Sequence, residues 1–187
     1  MSFPANTQYF RSDIDESRFH TAKLTGLTPD TRYFYTVGDD SHRSAEYSFR
    51  TEPENLTQYS FLIIADQQNT EPFSAPEYRP VQNLLDLALK RCPDAKFILS
   101  LGDNVDNGEN ELQWNGLFYG LDGISQNIPV MLATGNHDNR GFRVYEEHRR
   151  EGKYYLEHAD AFDFKFREAY PQNGPEGYET ENYSFDY

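Results

Sequence analysis

Three apolar segments of the chain each run directly into an aspartate or asparagine. The segments are Phe61–Gln68 (FLIIADQQ), Phe97–Gly108 (FILSLGDNVDNG) and Val130–Asp138 (VMLATGNHD). Asp66 and Asp103 are 37 positions apart, and Asn136 follows 33 positions later, so each interval has room for one helix between parallel strands. Ligands bind beyond the carboxyl ends of such strands. We therefore expect two carboxylates and an amide oxygen at one edge of a sheet, which predicts a metal-dependent hydrolase.

Asp103 is the strongest single candidate for a metal ligand, because it follows Gly102 at the end of an apolar strand. The segment GDNVDNG also contains the Asp, Asn and Gly residues that tight turns use. A plain turn therefore stays open as an alternative for this segment taken alone. A calcium-binding loop does not fit, because Val105 occupies the third position of that pattern.

The segment GNHD adds residues that packing alone does not explain. Gly135 lets the chain turn sharply off its strand, and Asn136 offers a neutral oxygen ligand. His137 can donate a proton to a leaving group near neutral pH, and a carboxylate such as Asp138 can orient its ring. This combination favours a catalytic site over a turn.

The order D-x-x, GDNVDNG and GNHD resembles the calcineurin-like metallophosphoesterases. The earlier stretches HTAKLTGLTPDTRYFYTVG and YSFRT resemble the end of the fibronectin type III-like domain that precedes the catalytic domain in purple acid phosphatases. Together the resemblances cover nearly the whole chain. They imply an α/β fold, the N-terminal half of a metallophosphoesterase β-α-β-α-β sandwich, preceded by the last strands of a β-sandwich domain.

The resemblance also implies an activity, the hydrolysis of a phosphate ester by a water that two divalent metal ions activate. It assigns Asp66 to the first metal, Asp103 to both metals and Asn136 to the second. It gives His137 the role of protonating the leaving oxygen or contacting the phosphoryl group, with Asp138 in support. The expected partner is a phosphate ester substrate.

Four departures from the family pattern bear on this assignment. Gln68 stands where many relatives have a histidine ligand, and an amide binds transition metals more weakly than imidazole does. Asp106 replaces the tyrosine of purple enzymes, which favours Mn, Zn or Fe(II) over Fe(III). Asn107 replaces the arginine of protein Ser/Thr phosphatases and argues against that branch. The V-x-x-H and G-H-x-H segments that supply the remaining ligands do not occur in this sequence.

The partial β domain at the start and the missing ligand segments at the end predict a chain cut at both ends, with weak or absent catalysis. The alternative function is a catalytically inactive fragment or a degenerate binding module. The remaining histidines are expected at the surface, outside the site. They are His20, His42, His148 and His158.

The chain is expected to divide into a partial β domain (1–52), a linker (53–58) and a partial phosphoesterase domain (59–187). The β domain is expected to hold strands near Arg32–Val37 and Ala45–Thr51. The phosphoesterase part has further predicted elements, each with its own signal in the sequence. These are a helix between Pro80 and Pro93, helices Glu111–Leu121 and Val144–Tyr170, a loop Pro171–Asn182 and a strand Tyr183–Tyr187.

Composition excludes some classes of partner. The 187 residues carry a formal charge of −14, which disfavours binding to nucleic acid or an anionic membrane. The sequence shows no apolar run long enough for a membrane span and no signal-peptide pattern. Relatives with this domain pair are often exported, and the compartment and oligomeric state stay open. The single cysteine, Cys92, is predicted to pack in the core on a helical stripe that includes Leu84 and Leu85.

Overall fold

The computed structural model describes residues 1–11, 16–69, 76–140 and 158–187. These residues form seven strands and three helices. The strands are β1 (Asn6–Arg11), β2 (Glu16–Thr21), β3 (Arg32–Tyr35), β4 (Tyr47–Arg50), β5 (Ser60–Ile64), β6 (Ala95–Ser100) and β7 (Val130–Leu132). The helices are α1 (Arg79–Arg91), α2 (Glu111–Gly120) and α3 (Asp160–Phe166). No helix in the described ranges is long and apolar enough to cross a membrane.

The first four strands form two antiparallel pairs, β1 with β2 and β3 with β4. β3 and β4 lie inside the two segments predicted as strands. Tyr33 and Phe49 are directly opposite each other and stack with ring centroids 5.7 Å apart. Such cross-strand aromatic pairs are the contacts that stabilise an antiparallel ladder.

The strands that precede the three polar motifs form one parallel sheet in the order β5, β6, β7, as predicted. In its register, Ile63 pairs with Leu99, and Leu99 pairs with Met131. The chain crosses from β5 to β6 through α1 and from β6 to β7 through α2. The α/β fold class is therefore confirmed.

Local sequence signals explain where both crossover helices begin and end. Pro80 lies in the first turn of α1, where its missing N–H costs nothing, and Pro93 follows shortly after the helix ends. α2 begins after Asn110, whose side chain accepts a hydrogen bond from the Leu112 N–H at 3.1 Å. The predicted helix Glu111–Leu121 is thus correct to within one residue.

The buried core lies between the sheet and the three helices. Its most buried side chains come from all of these layers. They are Leu85, Ile98, Trp114, Leu117, Leu132, Phe162 and Phe166. The second face of the sheet is more open, with Phe61 40% and Ile63 55% exposed. The helices therefore cover one face of the sheet.

The prediction that Cys92 packs in the core is wrong, since Cys92 is exposed. The residue caps the end of α1 with φ −124° and ψ 66°, so the helical projection no longer applies to it. Leu84, assigned to the same stripe, is 59% exposed, whereas Leu85 is fully buried. The buried stripe of α1 runs instead through Val81, Leu85 and Leu89.

Two predictions for the last part of the chain need correction. Of the predicted helix Val144–Tyr170, residues 144–157 lie outside the described residues, and the remainder is helical only over α3. The described part of that helix is mostly buried. The predicted strand Tyr183–Tyr187 pairs with no described strand, and its rings pack instead. Tyr183 contacts Tyr170 at a centroid distance of 5.0 Å, so aromatic packing takes the place of a β ladder. The predicted loop Pro171–Asn182 has no regular structure, as expected.

A buried lysine joins the N-terminal hairpin to the helices. The side chain of Lys165 is fully buried, and its Nζ donates to Glu111 Oε2 at 2.7 Å. Four aromatic rings surround the ammonium group at 5.5–5.9 Å from their centroids. They are Phe10, Phe19, Trp114 and Phe164. The charge is thus compensated by one carboxylate and by cation–π contacts.

We predict that Glu111→Gln lowers the free energy of unfolding by about 3 kcal/mol, because it removes a carboxylate that pairs with the buried Lys165 ammonium. Adding Lys165→Met to Glu111→Gln should restore most of this loss, since an apolar chain of similar length suits the aromatic surroundings. Urea unfolding measures both changes. Glu168→Gln, at an exposed position near the end of α3, is the matched control. Equal stability of Glu111→Gln and Glu168→Gln would contradict a stabilising role for the pair.

Candidate metal centre

The three polar motifs meet at the carboxyl edge of the parallel sheet. The Asp66 N–H donates to the Gly102 carbonyl at 3.1 Å, and the Gln68 N–H donates to the Asp103 carbonyl at 3.0 Å. These bonds join the first loop to the second. A Cβ added at Gly102 would lie 2.6 Å from the nitrogen of Gly135, so the second and third loops approach through their glycines.

The two candidate carboxylate ligands have unusual backbone angles. Asp66 has φ of 56° and Asp103 has φ of 51°, both in the left-handed region that residues other than glycine rarely adopt. Gly102, between β6 and Asp103, has φ of 109°. Such conformations often mark functional sites, because the surrounding structure must compensate for the strain.

Asp138 is a buried acceptor that holds two of the loops together. Its carboxylate, in a residue only 2% exposed, accepts from the main-chain N–H groups of Asn104 (3.1 Å), Val105 (3.1 Å) and Gly135 (2.8 Å). The Asn104 side chain adds a bond at 3.1 Å. Burial raises the pKa of Asp138 to about 6, while these hydrogen bonds act in the opposite direction.

The side chain of Asn104 extends this buried network to all three strands. It donates to the Ala133 carbonyl at 2.8 Å after β7. Its oxygen accepts from Ser100 on β6 at 2.7 Å and from Gln67, after β5, at 2.8 Å. The network fixes the relative positions of the loops that carry the candidate ligands.

The carboxylate that contacts the His137 ring is Asp106 rather than the predicted Asp138. Asp106 Oδ1 lies 2.8 Å from His137 Nδ1 and accepts a second bond from Arg140 Nη1 at 2.9 Å. All three side chains are about one-fifth to one-quarter exposed. Asp138 cannot take this place, because its oxygens already bind the buried loop N–H groups.

Asp103 lies next to His137 on the same edge. The residue is 9% exposed, and its Oδ1 accepts from the His137 main-chain N–H at 2.9 Å. Its other oxygen lies 3.9 Å from His137 Nε2. One oxygen of the Asp103 carboxylate thus faces the imidazole, while its other oxygen accepts a hydrogen bond from the main chain of the third loop.

The amide of Gln68 faces Asp103. The amide atom 3.4 Å from Asp103 Oδ2 is better assigned as oxygen, because the nitrogen then donates to the carbonyls of Asp66 (3.1 Å) and Asp103 (3.0 Å). A carboxylate oxygen and an amide oxygen then face each other with no hydrogen between them. A cation between them would stabilise this pair, and Mn²⁺ or Mg²⁺ prefers such oxygen ligands.

Asp66 and Asn136, the other predicted ligands, are exposed at the same edge. In the described ranges, no group of three or more His, Cys, Asp or Glu side chains is arranged to hold a metal. The predicted set has only two carboxylates, with amides in the remaining places. Its chemistry fits part of the shell of one cation that prefers oxygen.

The histidines outside GNHD lie away from this edge, where they are described. His20 bonds to Thr7 on the hairpin at 2.9 Å, and His42 lies 3.7 Å from Asp39. His158 lies outside the site with its side chain 39% exposed, in agreement with the expected surface position, and its ring packs on Tyr178 at a centroid distance of 4.5 Å. His148 falls outside the described residues.

Sequence reasoning missed the role of Asp106. The signal was present, because Asp106 follows Asp103 by three positions in GDNVDNG, which puts a second acid in the same loop. Spacing along the sequence alone does not show whether Asp106 or Asp138 contacts the His137 ring.

Comparison with known proteins agrees with this geometry. The family model for the calcineurin-like phosphoesterases matches residues 59–184. The chain belongs to this family. The model for the N-terminal domain of purple acid phosphatases matches residues 1–51. Members of the purple acid phosphatase family generally depend on a binuclear metal centre.

Several relatives are purple acid phosphatases of Arabidopsis thaliana. Probable inactive purple acid phosphatase 1 is 29% identical over 150 residues, which cover 72% of this chain and 23% of the relative. Purple acid phosphatase 13 is 26% identical over 147 residues, which cover 64% of this chain and 27% of the relative. The chain thus spans about a quarter of the length of these relatives.

A solved structure shows the same fold. A purple acid phosphatase isolated from yellow lupin (Lupinus luteus) seeds matches with a TM-score of 0.56 and 22% identity. The match covers 74% of this chain and 28% of the lupin chain. The parallel sheet and its helices therefore have the same fold as this part of the lupin protein.

We predict that Asp138→Asn destabilises the fold by about 2 kcal/mol, because its amide nitrogen would face N–H donors that now bind an oxygen. Urea unfolding should show a lower midpoint. Asp86→Asn, on the exposed side of α1, makes the same chemical change without buried partners and should stay within about 0.5 kcal/mol of the parent. If both variants unfold at the same urea concentration, Asp138 does not hold the loops together.

Proposed function

We propose that this chain is part of a metal-dependent phosphoesterase, which hydrolyses a phosphate ester. The observation that carries the proposal is the arrangement of His137, which lies between Asp106 and Asp103 at the carboxyl edge of the sheet. A proton donor, a nearby carboxylate ligand and a basic side chain are the groups that this hydrolysis needs. Family membership supports the reaction class.

We further propose Asp66, Gln68, Asp103 and Asn136 as the ligands of the divalent metal ions of the complete enzyme. The facing oxygens of Gln68 and Asp103 support this set. When bound, Mn, Zn or Fe supplies a polarised water and neutralises phosphate charge. The described residues offer part of the shell of one ion and therefore fewer ligands than two ions need, so we expect slow or no turnover by this chain.

His137 is proposed as the group that protonates the leaving oxygen. A carboxylate can only accept, so Nδ1 carries the hydrogen of its bond to Asp106. That bond fixes the ring with Nε2 on the side of Asp103, and Nε2–H of the protonated ring is the donor that remains. Asp106 therefore positions His137, the role that the sequence assigned to Asp138.

Arg140 is proposed as a contact for a phosphoryl oxygen. Its guanidinium binds the same Asp106 oxygen as the His137 ring, so the guanidinium and the imidazole lie side by side. A guanidinium has five N–H donors in a planar fork, a geometry that suits phosphoryl oxygens. In a chain of charge −14, such a group offsets local repulsion of a phosphate.

A degenerate binding module is the second candidate. Two features favour it, the amide of Gln68 in the place of a histidine and the description of several relatives as probable inactive phosphatases. In this reading the β unit (1–52) and linker (53–58) join a phosphoesterase unit (59–187) that binds ligands without turnover. Metal binding with no hydrolysis in the full-length protein would select it over the enzyme.

We predict that Mn²⁺ raises the melting temperature of the chain through the candidate metal centre. At one hundred times the dissociation constant the stabilisation is about 2.7 kcal/mol, if the metal binds only the folded state. Asp103→Asn should remove the shift, and Asp86→Asn, an equal loss of charge at an exposed helical site, should keep it. An unchanged shift in Asp103→Asn would count against Asp103 as a ligand.

We predict that Arg140→Gln weakens the binding of inorganic phosphate to the Mn²⁺-loaded chain by about tenfold, the effect of one charge-assisted hydrogen bond. Isothermal titration with phosphate measures this change, and a parallel Mn²⁺ titration should show unchanged metal affinity. Arg79→Gln, at an exposed position on α1, is the matched control. Phosphate affinity equal in the two variants would dismiss Arg140 as a phosphate contact.

A further inference from the structure

Two hydrogen bonds fix the side-chain amide of Gln68. Its nitrogen donates to the main-chain carbonyls of Asp66 at 3.1 Å and Asp103 at 3.0 Å, so both of its hydrogens are used. Turning the amide over would break both bonds and place its oxygen against two carbonyl oxygens. The amide therefore presents its oxygen, and only its oxygen, to the candidate metal centre.

The oxygen of this amide faces the carboxylate of Asp103. It lies 3.4 Å from Asp103 Oδ2, and no hydrogen stands between the two atoms. One cation can be reached from both oxygens, because oxygen ligands lie about 2.0–2.6 Å from Mg²⁺ or Ca²⁺. The carboxylate is fixed as well, since its Oδ1 accepts from the His137 main-chain N–H at 2.9 Å. The two oxygens are thus prearranged for a cation.

The candidate ligands offer oxygen alone. Asp66 and Asp103 are carboxylates, and Gln68 and Asn136 are amides. The imidazole of His137 is already held by a carboxylate through Nδ1, and its Nε2 is the proposed proton donor. Carboxylate and carbonyl oxygens suit Mg²⁺ and Mn²⁺, whereas imidazole suits Zn²⁺ and iron. The donor set therefore favours a divalent cation that prefers oxygen.

One divalent cation balances the charge of this donor set. Asp66 and Asp103 carry two negative charges between them, and the amides carry none. The other two acids of the three polar motifs are engaged elsewhere, Asp106 by His137 and Asp138 by main-chain N–H groups. A second divalent cation would bring two positive charges without a carboxylate from these motifs to balance them. The arrangement therefore fits one ion rather than two.

We propose that Gln68 is the residue that sets the metal specificity of this centre, making it a site for a single Mg²⁺ or Mn²⁺ ion. Its amide oxygen completes an oxygen-only set, whereas a histidine in its place would add the imidazole nitrogen that Zn²⁺ and iron prefer. Affinity for Zn²⁺ generally exceeds affinity for Mn²⁺, and Gln68 keeps this difference small, so that metal availability decides which ion binds. The inference rests on the metal-dependent function proposed above, and it adds the number of ions and the residue that selects them.

Replacement of Gln68 by histidine tests the role of the amide. Electron paramagnetic resonance counts bound Mn²⁺, and added Zn²⁺ then displaces it according to the ratio of the two affinities. We expect one equivalent of bound Mn²⁺ in the parent. Gln68→His should lower the Zn²⁺ concentration that displaces half of the bound Mn²⁺ by about tenfold or more, because imidazole favours Zn²⁺. Gln58→His, the same change at an exposed position in the linker, should require as much Zn²⁺ as the parent does.

The parent alone gives a second test, which does not depend on the folding of Gln68→His. Mg²⁺ should displace the single Mn²⁺ completely, as a competitor for one site. Two equivalents of bound Mn²⁺, or failure of Mg²⁺ to compete, would overturn the proposal, and so would equal displacement by Zn²⁺ in Gln68→His and Gln58→His. In each of these results a metal still binds, so the phosphoesterase proposal stands. Binding of none of the three metals would overturn both proposals and is a distinct outcome.

Discussion

The carboxylate of Asp138 binds N–H groups from two different loops, and this fixes the distance between those loops. Asn104 and Val105 come from the loop after β6, and Gly135 comes from the loop after β7. Each N–H would be a costly unpaired donor in a site that excludes water, so the buried acceptor stabilises the whole edge. The arrangement of the candidate ligands depends on this interaction, because both loops carry one of them.

The stability of this edge compensates for a strained backbone at two of the candidate ligands. Asp66 and Asp103 have positive φ, which residues other than glycine adopt at a cost. The surrounding hydrogen bonds hold both residues in place, with Asp66 exposed at the edge and Asp103 only 9% exposed beside His137. The same edge holds the His137 ring through Asp106. Local strain, buried polar bonds and exposed oxygens thus belong to one structural unit.

Much of this fold could be predicted from the sequence, because its signals are local. Apolar runs ending in Asp or Asn marked the strand ends, and prolines marked the ends of α1. The partner of His137 could not be predicted, since Asp138 is its neighbour along the chain whereas Asp106 lies 31 positions away, and only packing selects between them. The burial of the charged Lys165 side chain also could not be predicted from the sequence. Three of the four rings around it, those of Phe10, Phe19 and Trp114, are distant from it along the chain.

The open face of the parallel sheet has a consequence for how molecules of this chain behave together. Phe61 and Ile63 present apolar surface to water on that face. Two such faces would attract each other, whereas a formal charge of −14 keeps the molecules apart. Solubility of the chain therefore rests on long-range repulsion. Added salt shortens the range of that repulsion, and acid removes its source by protonating carboxylates, so both conditions favour self-association.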